Sequence, residues 1–436
     1  MGVTRSRVAV VLLVLALVAA VIPRAEAGQR VTTRRIARGV TYKVIKRTKP
    51  RQKIRVVSVK LSKRPALGVA LGTNELPGFE RTSSMARRYG AIAGINGDYA
   101  RPSGRPVMTF ANGGQIAQTP LTWGRNFAVS SDESSTYVGH PKVAVRAVKA
   151  SIGLDHQVKR VNNGRPALNQ VALYTPRAGG LELPPRRACS ARLFRKGTVG
   201  LSEEGEWVQA SYEVDKVRCG VRRMTRSGGT VIATPRRSRR APAISSLEAG
   251  QRLRLMWSLG WRGVLETVGG NPTLIERGRI MVGWSSHPFF RRNPRTGIGT
   301  TRDGRVLLVT VDGRQRRYSV GMSLRAFARF FKSQGARWAL NLDGGGSTTM
   351  VVRGKVRNRP SDGRERPVSS ALLVLRRPKR LARKITTTQQ TATNPLAAID
   401  LSRWPDSERV WSRIADDPAS TKGMESALRR TRRSRR

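Results

Sequence analysis

The amino-acid sequence predicts an α+β (mixed α/β) fold: one β-rich domain with mixed sheets and a few helices, then a disordered basic C-terminal tail. Between Phe127 and Ala233 short apolar stretches alternate with turns at Gly139, Gly153, Gly164 and Gly179-Gly180, and no 3.6-residue period runs through them. From Val306 a strand, a helix and a second strand follow in order, which reads as a crossover unit with parallel strands. Beyond Arg376 the composition turns to Thr, Gln, Ala and Arg, and the chain ends RRTRRSRR.

Taken in order, the chain opens with Arg5 and Arg7, an apolar run from Val8 to Ile22, and small residues at Ala25-Glu26-Ala27. That is the layout of a secretory signal peptide over residues 1–27. The run is shorter than the ~20 residues of a membrane span, which favours cleavage over an uncleaved anchor. Residues 28–39 read as a flexible basic N-terminus, and 40–375 as the domain. Val40 to Ile45 and Ile54 to Leu61 are strands; Ser83 or Ser84 caps a short helix through Arg88, stopped by Gly90. Ala91 to Ile95 is an apolar strand running into Asn96-Gly97-Asp98-Tyr99, where Asn-Gly by itself signals a hairpin turn. Residues 180–229 carry both cysteines and many charges and read as a β-rich insertion; Pro235 to Arg240 is a basic loop.

The second half is more regular. Leu253 to Leu259 and Thr273 to Ile275 are strands, with a turn at Val268 to Pro272. Val306 to Val311 ends at Asp312-Gly313-Arg314. Ser323 caps a helix with Leu324, Phe327, Ala328 and Phe331 on one face, and Gly335 ends it. In the strand that follows, Trp338, Leu340 and Leu342 fall on one side and Ala339, Asn341 and Asp343 on the other. Gly344 to Gly346 and the hydroxyls of Ser347, Thr348 and Thr349 come next. Arg353-Gly354 is a turn, Asn358 to Asp362 a polar loop, Val368 to Leu375 the last strand, and 376–436 the tail.

Across 436 residues, 83 Lys+Arg against 27 Asp+Glu give a formal charge of +56. Such a field attracts polyanions without naming one. Aromatics are only 6% of residues and are not interleaved with the basic runs, so a specific nucleic-acid partner is not expected. Cys189 and Cys219 fit one disulfide in an oxidising compartment. The histidines, His140, His156 and His287, lack metal-ligand spacing, and neither a Ser-His-Asp order nor a Cys nucleophile is evident. Asp312 and Asp343 both close strands of the crossover unit, and ligand sites lie beyond such carboxyl ends.

Several short motifs occur in one order: Asn96 to Tyr99, Gly269 to Pro272, Pro294 to Gly299, Asp312 to Arg314, Gly321 to Leu324, Asn341 to Thr349 and Glu365 to Val368. Together they resemble the phosphodiester glycosidase family, whose naming enzyme removes N-acetylglucosamine from a phosphodiester to uncover mannose 6-phosphate. The likeness runs from about Val40 to Leu375 and is densest from Gly269. It departs at Ala100, where an aromatic is usual, at Asn293, where a His often precedes Pro-Arg-Thr, and at Asn271, where Gly is usual.

The resemblance implies a secreted hydrolase of sugar-1-phosphodiesters, acting on phosphate-containing cell-envelope or exopolysaccharide glycans. Glycosidases use paired carboxyl groups, and Asp98, Asp312 and Asp343 are the candidates. Arg295, then Arg314, would grip the phosphate in a bidentate fork. Main-chain amides at Gly344 and Gly345 with the hydroxyls of Ser347 and Thr348 would hold phosphate or sugar oxygens, and Asn96 and Asn341 sugar hydroxyls. No cofactor is required by the sequence; were a divalent cation used, Asn and Asp oxygens suit Ca²⁺ or Mg²⁺, held by Asp312 and Asp343. The alternative function is a non-catalytic secreted protein that binds anionic glycopolymers through the same pocket. A secreted nucleic-acid binder rests on charge alone.

Overall fold

The computed structural model describes residues 28–376, apart from 64, 123, 150–153 and 180–183. The signal-peptide and tail expectations lie outside the described residues. Strands dominate, arranged as four sheets and a closed barrel, with three α-helices among the described residues.

An eight-stranded sheet is central. Its order is Gln29–Ala37, Val40–Thr48, Arg51–Lys60, Arg305–Val311, Arg295–Thr301, Ala336–Asn341, Thr273–Glu276 and Arg279–Ile280. The segment expected to be a flexible N-terminus is thus an edge strand, pairing antiparallel with Val40–Thr48. The crossover unit also differs from expectation. Arg305–Val311 and Ala336–Asn341 do run the same way, but each pairs antiparallel with Arg295–Thr301, which lies between them. A hairpin partner close in sequence took the slot that a simple crossover would leave to the second strand.

Both faces of this sheet are covered. The helix Leu324–Ser333, its Ser323 hydroxyl accepting from the Ala326 N–H at 3.2 Å, packs Phe327 and Phe331 against Ile54, Val309 and Ala339. Gly297 and Gly299 face that helix: a Cβ on either would lie 2.8 Å from a Phe327 or Phe331 ring atom. The alternating glycines of the Pro294–Gly299 motif are therefore seats for two aromatic rings, and Ile298 between them points to the opposite core. That core also holds Val57, Leu308, Leu340 and Leu342, packed against a five-stranded sheet of Lys355–Val356, Met350–Val352, Ala93–Asn96, Ser370–Arg376 and Pro65–Leu71.

The strand Ala93–Asn96 pairs with Met350–Val352 and Ser370–Arg376, so Asn96-Gly97 ends an interior strand and turns no hairpin. The helix Thr82–Arg88 has Arg81 at its N-cap and no side-chain cap. The Ser83 N–H and hydroxyl instead donate to the Glu365 carboxylate at 2.7 and 2.5 Å. A distant carboxylate thus supplies the negative charge that a helix start favours.

A third sheet, Thr136–Gly139, Arg125–Ser130, Val264–Gly270, Phe110–Asn112 and Gln115–Gln118, separates two cores. Phe110 and Phe127 face the central sheets, Ala111 and Ala128 the barrel. The barrel runs Ala144–Lys149, Leu154–Val161, Val171–Tyr174, Thr230–Pro235, Ala188–Leu201, Val208–Gly220 and Arg252–Ser258, and closes between first and last. It reaches well beyond the 180–229 segment singled out in the sequence. Leu154–Val161 with Val171–Tyr174 is a parallel pair. Cys189 and Cys219 are directly opposite on adjacent barrel strands and form a disulfide, so the bridge joins two paired strands rather than closing a surface loop.

Because that bridge spans 30 residues of sequence, it removes loop-closure freedom from the unfolded chain. Replacing both cysteines by serine should lower unfolding free energy by about 2–4 kcal/mol in a denaturant titration. An unchanged midpoint would mean that barrel closure alone holds these strands.

Candidate active site

Two sheets end at the same place, and one side chain joins them. Asn96, fully buried at the end of its strand, donates from Nδ2 to the Asp343 carbonyl at 2.7 Å. Its Oδ1 accepts from the Thr349 N–H at 3.0 Å and the Thr296 hydroxyl at 2.9 Å. The Asp343 N–H in turn donates to the Gly97 carbonyl at 3.1 Å. These bonds set the Asp98 and Asp343 loops side by side. Asn96 is thus engaged in building the site.

Asp98 is 1% exposed; its Oδ2 accepts from the Met108 N–H at 2.8 Å, and its Oδ1 is buried without a partner among the described residues. Gly269 makes this fit: a Cβ there would lie 2.8 Å from Asp98 Oδ2 and 2.0 Å from the Met108 Cβ. Burial pushes the Asp98 carboxyl up to about 8, against backbone N–H groups that favour the charge and with the nearby Asp343 adding to the rise. Asp343 keeps 8% exposure, so it is the more open of the pair. Burial raises it too, to about 6, opposed by the Ser347 hydroxyl, Arg366, the Gly344 N–H and Arg314. The two carboxyls therefore lie on opposite sides of neutrality.

Asp312 stands apart. It is buried in an ion pair with Arg55, which also donates to the Tyr318 hydroxyl at 3.1 Å. Its other oxygen accepts from the Arg359 N–H at 3.1 Å. The third candidate carboxylate is thus already neutralised, and its strand-end position reflects a structural ion pair. With both Asp312 oxygens engaged, it and Asp343 do not make an open cation cage; among the described residues no group of three His, Cys, Asp or Glu side chains converges.

The arginines also sort by position. Arg295 is 2% exposed and donates to the carbonyls of Met322, Phe289 and Arg291 at 2.9, 2.7 and 2.6 Å, its guanidinium over the Phe289 ring. Burial lowers it to about 10, so it stays charged at neutral pH while most of its fork holds backbone. Arg314 is exposed, is held by Asn293 Oδ1 at 3.2 and 3.1 Å, and lies over Gly345. Asn293, standing where a His was expected, thus orients an arginine. Arg366, given no role by sequence reasoning, pairs with Asp362 and covers Gly346. Its signal was the Glu365-Arg366-Pro367-Val368 motif.

Asn341 donates from Nδ2 to the Tyr99 hydroxyl at 2.5 Å and to the carbonyls of Asn271 and Leu342, both at 2.9 Å; Tyr99 donates to the Asn271 carbonyl at 2.8 Å. Ser347 serves Asp343, and the buried Thr348 hydroxyl accepts from Thr296 at 3.3 Å. Of the predicted binding groups, the glycine turn and Arg314 face outward, while Asn96, Thr348 and most of Arg295 brace the walls.

A buried carboxylate pair beside a glycine turn overlain by Arg314 and Arg366 suits an anionic, hydroxyl-bearing ligand. Residues 208–375 match the phosphodiester glycosidase family. This stretch holds Arg295, Asp312, Arg314 and Asp343, while Asp98 lies before it. Over 83 residues the chain is 42% identical to the SPbeta prophage-derived uncharacterized protein YomE of Bacillus subtilis (strain 168), a match covering 19% of this chain and 13% of that one. Over 68 residues it is 40% identical to the N-acetylglucosamine-1-phosphodiester alpha-N-acetylglucosaminidase of Mus musculus, covering 16% and 13%. Each alignment thus spans only a small part of the relative's length. A hypothetical protein from Synechocystis shares the fold, with a TM-score of 0.58 at 22% identity over 79% of this chain and 63% of that one. The phosphodiester glycosidase likeness is shown by the family match and these relatives together.

The raised pKa values bear on stability with a definite sign. Asp98 binds its proton more tightly folded than at its ordinary value of 3.8, so its contribution to stability is full below that value and is lost as pH rises through about 8. Asp98→Asn should therefore raise the melting temperature relative to the parent at pH ~9 and not at pH ~5. Asp312→Ala leaves Arg55 buried and unpaired and should cost about 3–5 kcal/mol. A stable, well-folded Asp312→Ala protein would contradict the structural role.

Proposed function

We propose that this protein is a secreted glycosidase that hydrolyses sugar-1-phosphodiester linkages in phosphate-containing envelope or exopolysaccharide glycans. The observation that carries the reading is the Asp98–Asp343 pair, two adjoining carboxyls driven up to about 8 and about 6. Paired groups with separated acidities divide into acid and base. At neutral pH Asp98 keeps its proton and Asp343 is ionised.

Asp343, the more open group, meets the anomeric carbon or the water that attacks it. Asp98 supplies the proton as the bond from the anomeric carbon to the phosphate oxygen breaks. A phosphate monoester leaves more readily than a sugar alkoxide, and the arginines over the glycine turn share the stabilisation. Arg314 and Arg366 are the phosphate-gripping pair, Arg366 exchanging its Asp362 partner for substrate; Arg295 contributes fixed charge from behind. Family membership of the matched stretch supports the hydrolase class, and the signal-peptide layout of residues 1–27 supports export. No helix among the described residues is long and apolar enough to cross a membrane.

A panel of sugar-1-phosphodiesters, assayed for released sugar, tests the reading. Asp343→Asn and Asp98→Asn should each reduce release by about 10²–10⁴-fold with the fold intact. Arg314→Gln should raise KM more than it lowers kcat. A protein that binds phosphodiester glycans yet releases no sugar from any of them, wild type and Asp343→Asn alike, would be the non-catalytic binder instead.

The rate should also follow a bell in pH. kcat/KM rises as Asp343 ionises near pH 6 and falls as Asp98 ionises near pH 8, both being values of the coupled pair. A profile flat across that range would remove the two carboxyls from the reaction.

A further inference from the structure

One end of the barrel carries an open concavity of about 450 Å³ lined by Arg186, Arg187, Val221, Arg222 and Arg223. Strand pairing explains why these residues meet. Ala188 lies opposite both Gly220 and Pro235, so the ends of three barrel strands converge there. The Arg187 N–H donates to the Val221 carbonyl at 3.4 Å, and the Arg187 carbonyl accepts from the Arg236 N–H at 3.0 Å. The disulfide Cys189–Cys219 pins two of these strands one residue inside the rim.

The lining of the concavity is almost wholly arginine. Among the described residues none of its four arginine side chains makes an ion pair or a hydrogen bond, and the Nε of Arg223 is buried without a partner. The segments that converge, 184–188, 218–224 and 235–240, contain no Asp or Glu, and Arg236 and Arg237 extend the positive surface. Holding like charges together on a stapled rim is unfavourable unless an anion fills the space between them. Guanidinium forks match the oxygens of a phosphodiester, and the volume suits one repeat of a small-unit polymer. Val221 is the non-arginine lining residue, so no aromatic face is offered on which a base could stack.

We propose that this barrel end is a binding site for a polymer of sugar- or polyol-phosphate units, separate in the chain from the carboxylate pair. The choice of a glycan phosphate over other polyanions rests in part on the proposed function; the arginine site itself does not. The barrel would hold the chain by its phosphates while the Asp98–Asp343 site works on a linkage of the same polymer.

The test is binding of poly(glycerol phosphate) to the full mature chain, measured by calorimetry over a range of salt. Arg186, Arg222 and Arg223 are changed together to Gln; Arg187 is spared because its φ of 52° is left-handed. The control changes Arg30, Arg34 and Arg35, exposed on the edge strand, which lowers the net charge by the same amount. The site variant should bind about tenfold more weakly with a shallower salt dependence, the control within about twofold of wild type. Release of sugar from a small phosphodiester should be unchanged in the site variant. Equal loss in both variants would mean a diffuse charge effect and overturn the site. Absence of binding by the wild type would overturn it too. Tighter binding of single-stranded DNA, lost in the site variant, would overturn the glycan assignment. The wild type separates the two readings: polymer binding with no sugar released defeats the proposed function and leaves the arginine site standing.

Discussion

Everything at the candidate site depends on Asn96. Its side chain engages three partners, Asp343 and Thr349 at the two ends of one glycine-rich loop and Thr296 in another strand. A buried amide satisfied in this way couples the ends of two sheets that share a core but no strand pairing. Without it, Asp98 and Asp343 would each be an ordinary aspartate after a strand. With it they are neighbours, buried, and unequal.

Burial gives the chemistry its direction. In so cationic a chain the simple expectation is that positive charge lowers every carboxyl. The opposite happens at Asp98 and Asp343, because loss of water outweighs the backbone N–H groups at Asp98 and the Ser347 hydroxyl, Arg366, the Gly344 N–H and Arg314 at Asp343. Asp312 shows a contrasting arrangement: equally buried, it is matched to Arg55 in an ion pair, at the cost of its availability. Similar side chains at similar strand ends thus take different roles, and the partner within reach decides which.

The same sorting applies to the arginines. Arg295 is consumed largely by backbone carbonyls, Arg366 by Asp362, and Arg314 is oriented by Asn293. At one end of the barrel, arginines gather that no carboxylate among the described residues pairs with. Net charge reveals neither arrangement; only the register of the barrel strands and the closing of the loops do.

The sequence by itself determined a β-rich fold with few helices, the Ser323-capped helix, the alternation around Leu340 and Leu342, and the cysteine pair. Each of these is local, written in side-chain period or residue type. It also marked the segments that form the site, since Asn96–Tyr99, Pro294–Gly299 and Asn341–Thr349 do meet. Tertiary structure alone decided what each residue there does. It placed Arg295–Thr301 between the two crossover strands, turned residues 28–39 into an edge strand, replaced a local helix cap with Glu365, and widened the insertion into a closed barrel. It also paired Asp312 with Arg55, tied Asn96 to Asp343 and set Arg366 over Gly346. The physical reason is that a side chain's burial and availability are set by the partners the fold brings to it, some next in sequence, as for the edge strand and Arg366, and others hundreds of residues away, as for Asn96, Asp312 and Glu365; no local pattern encodes which partner that is.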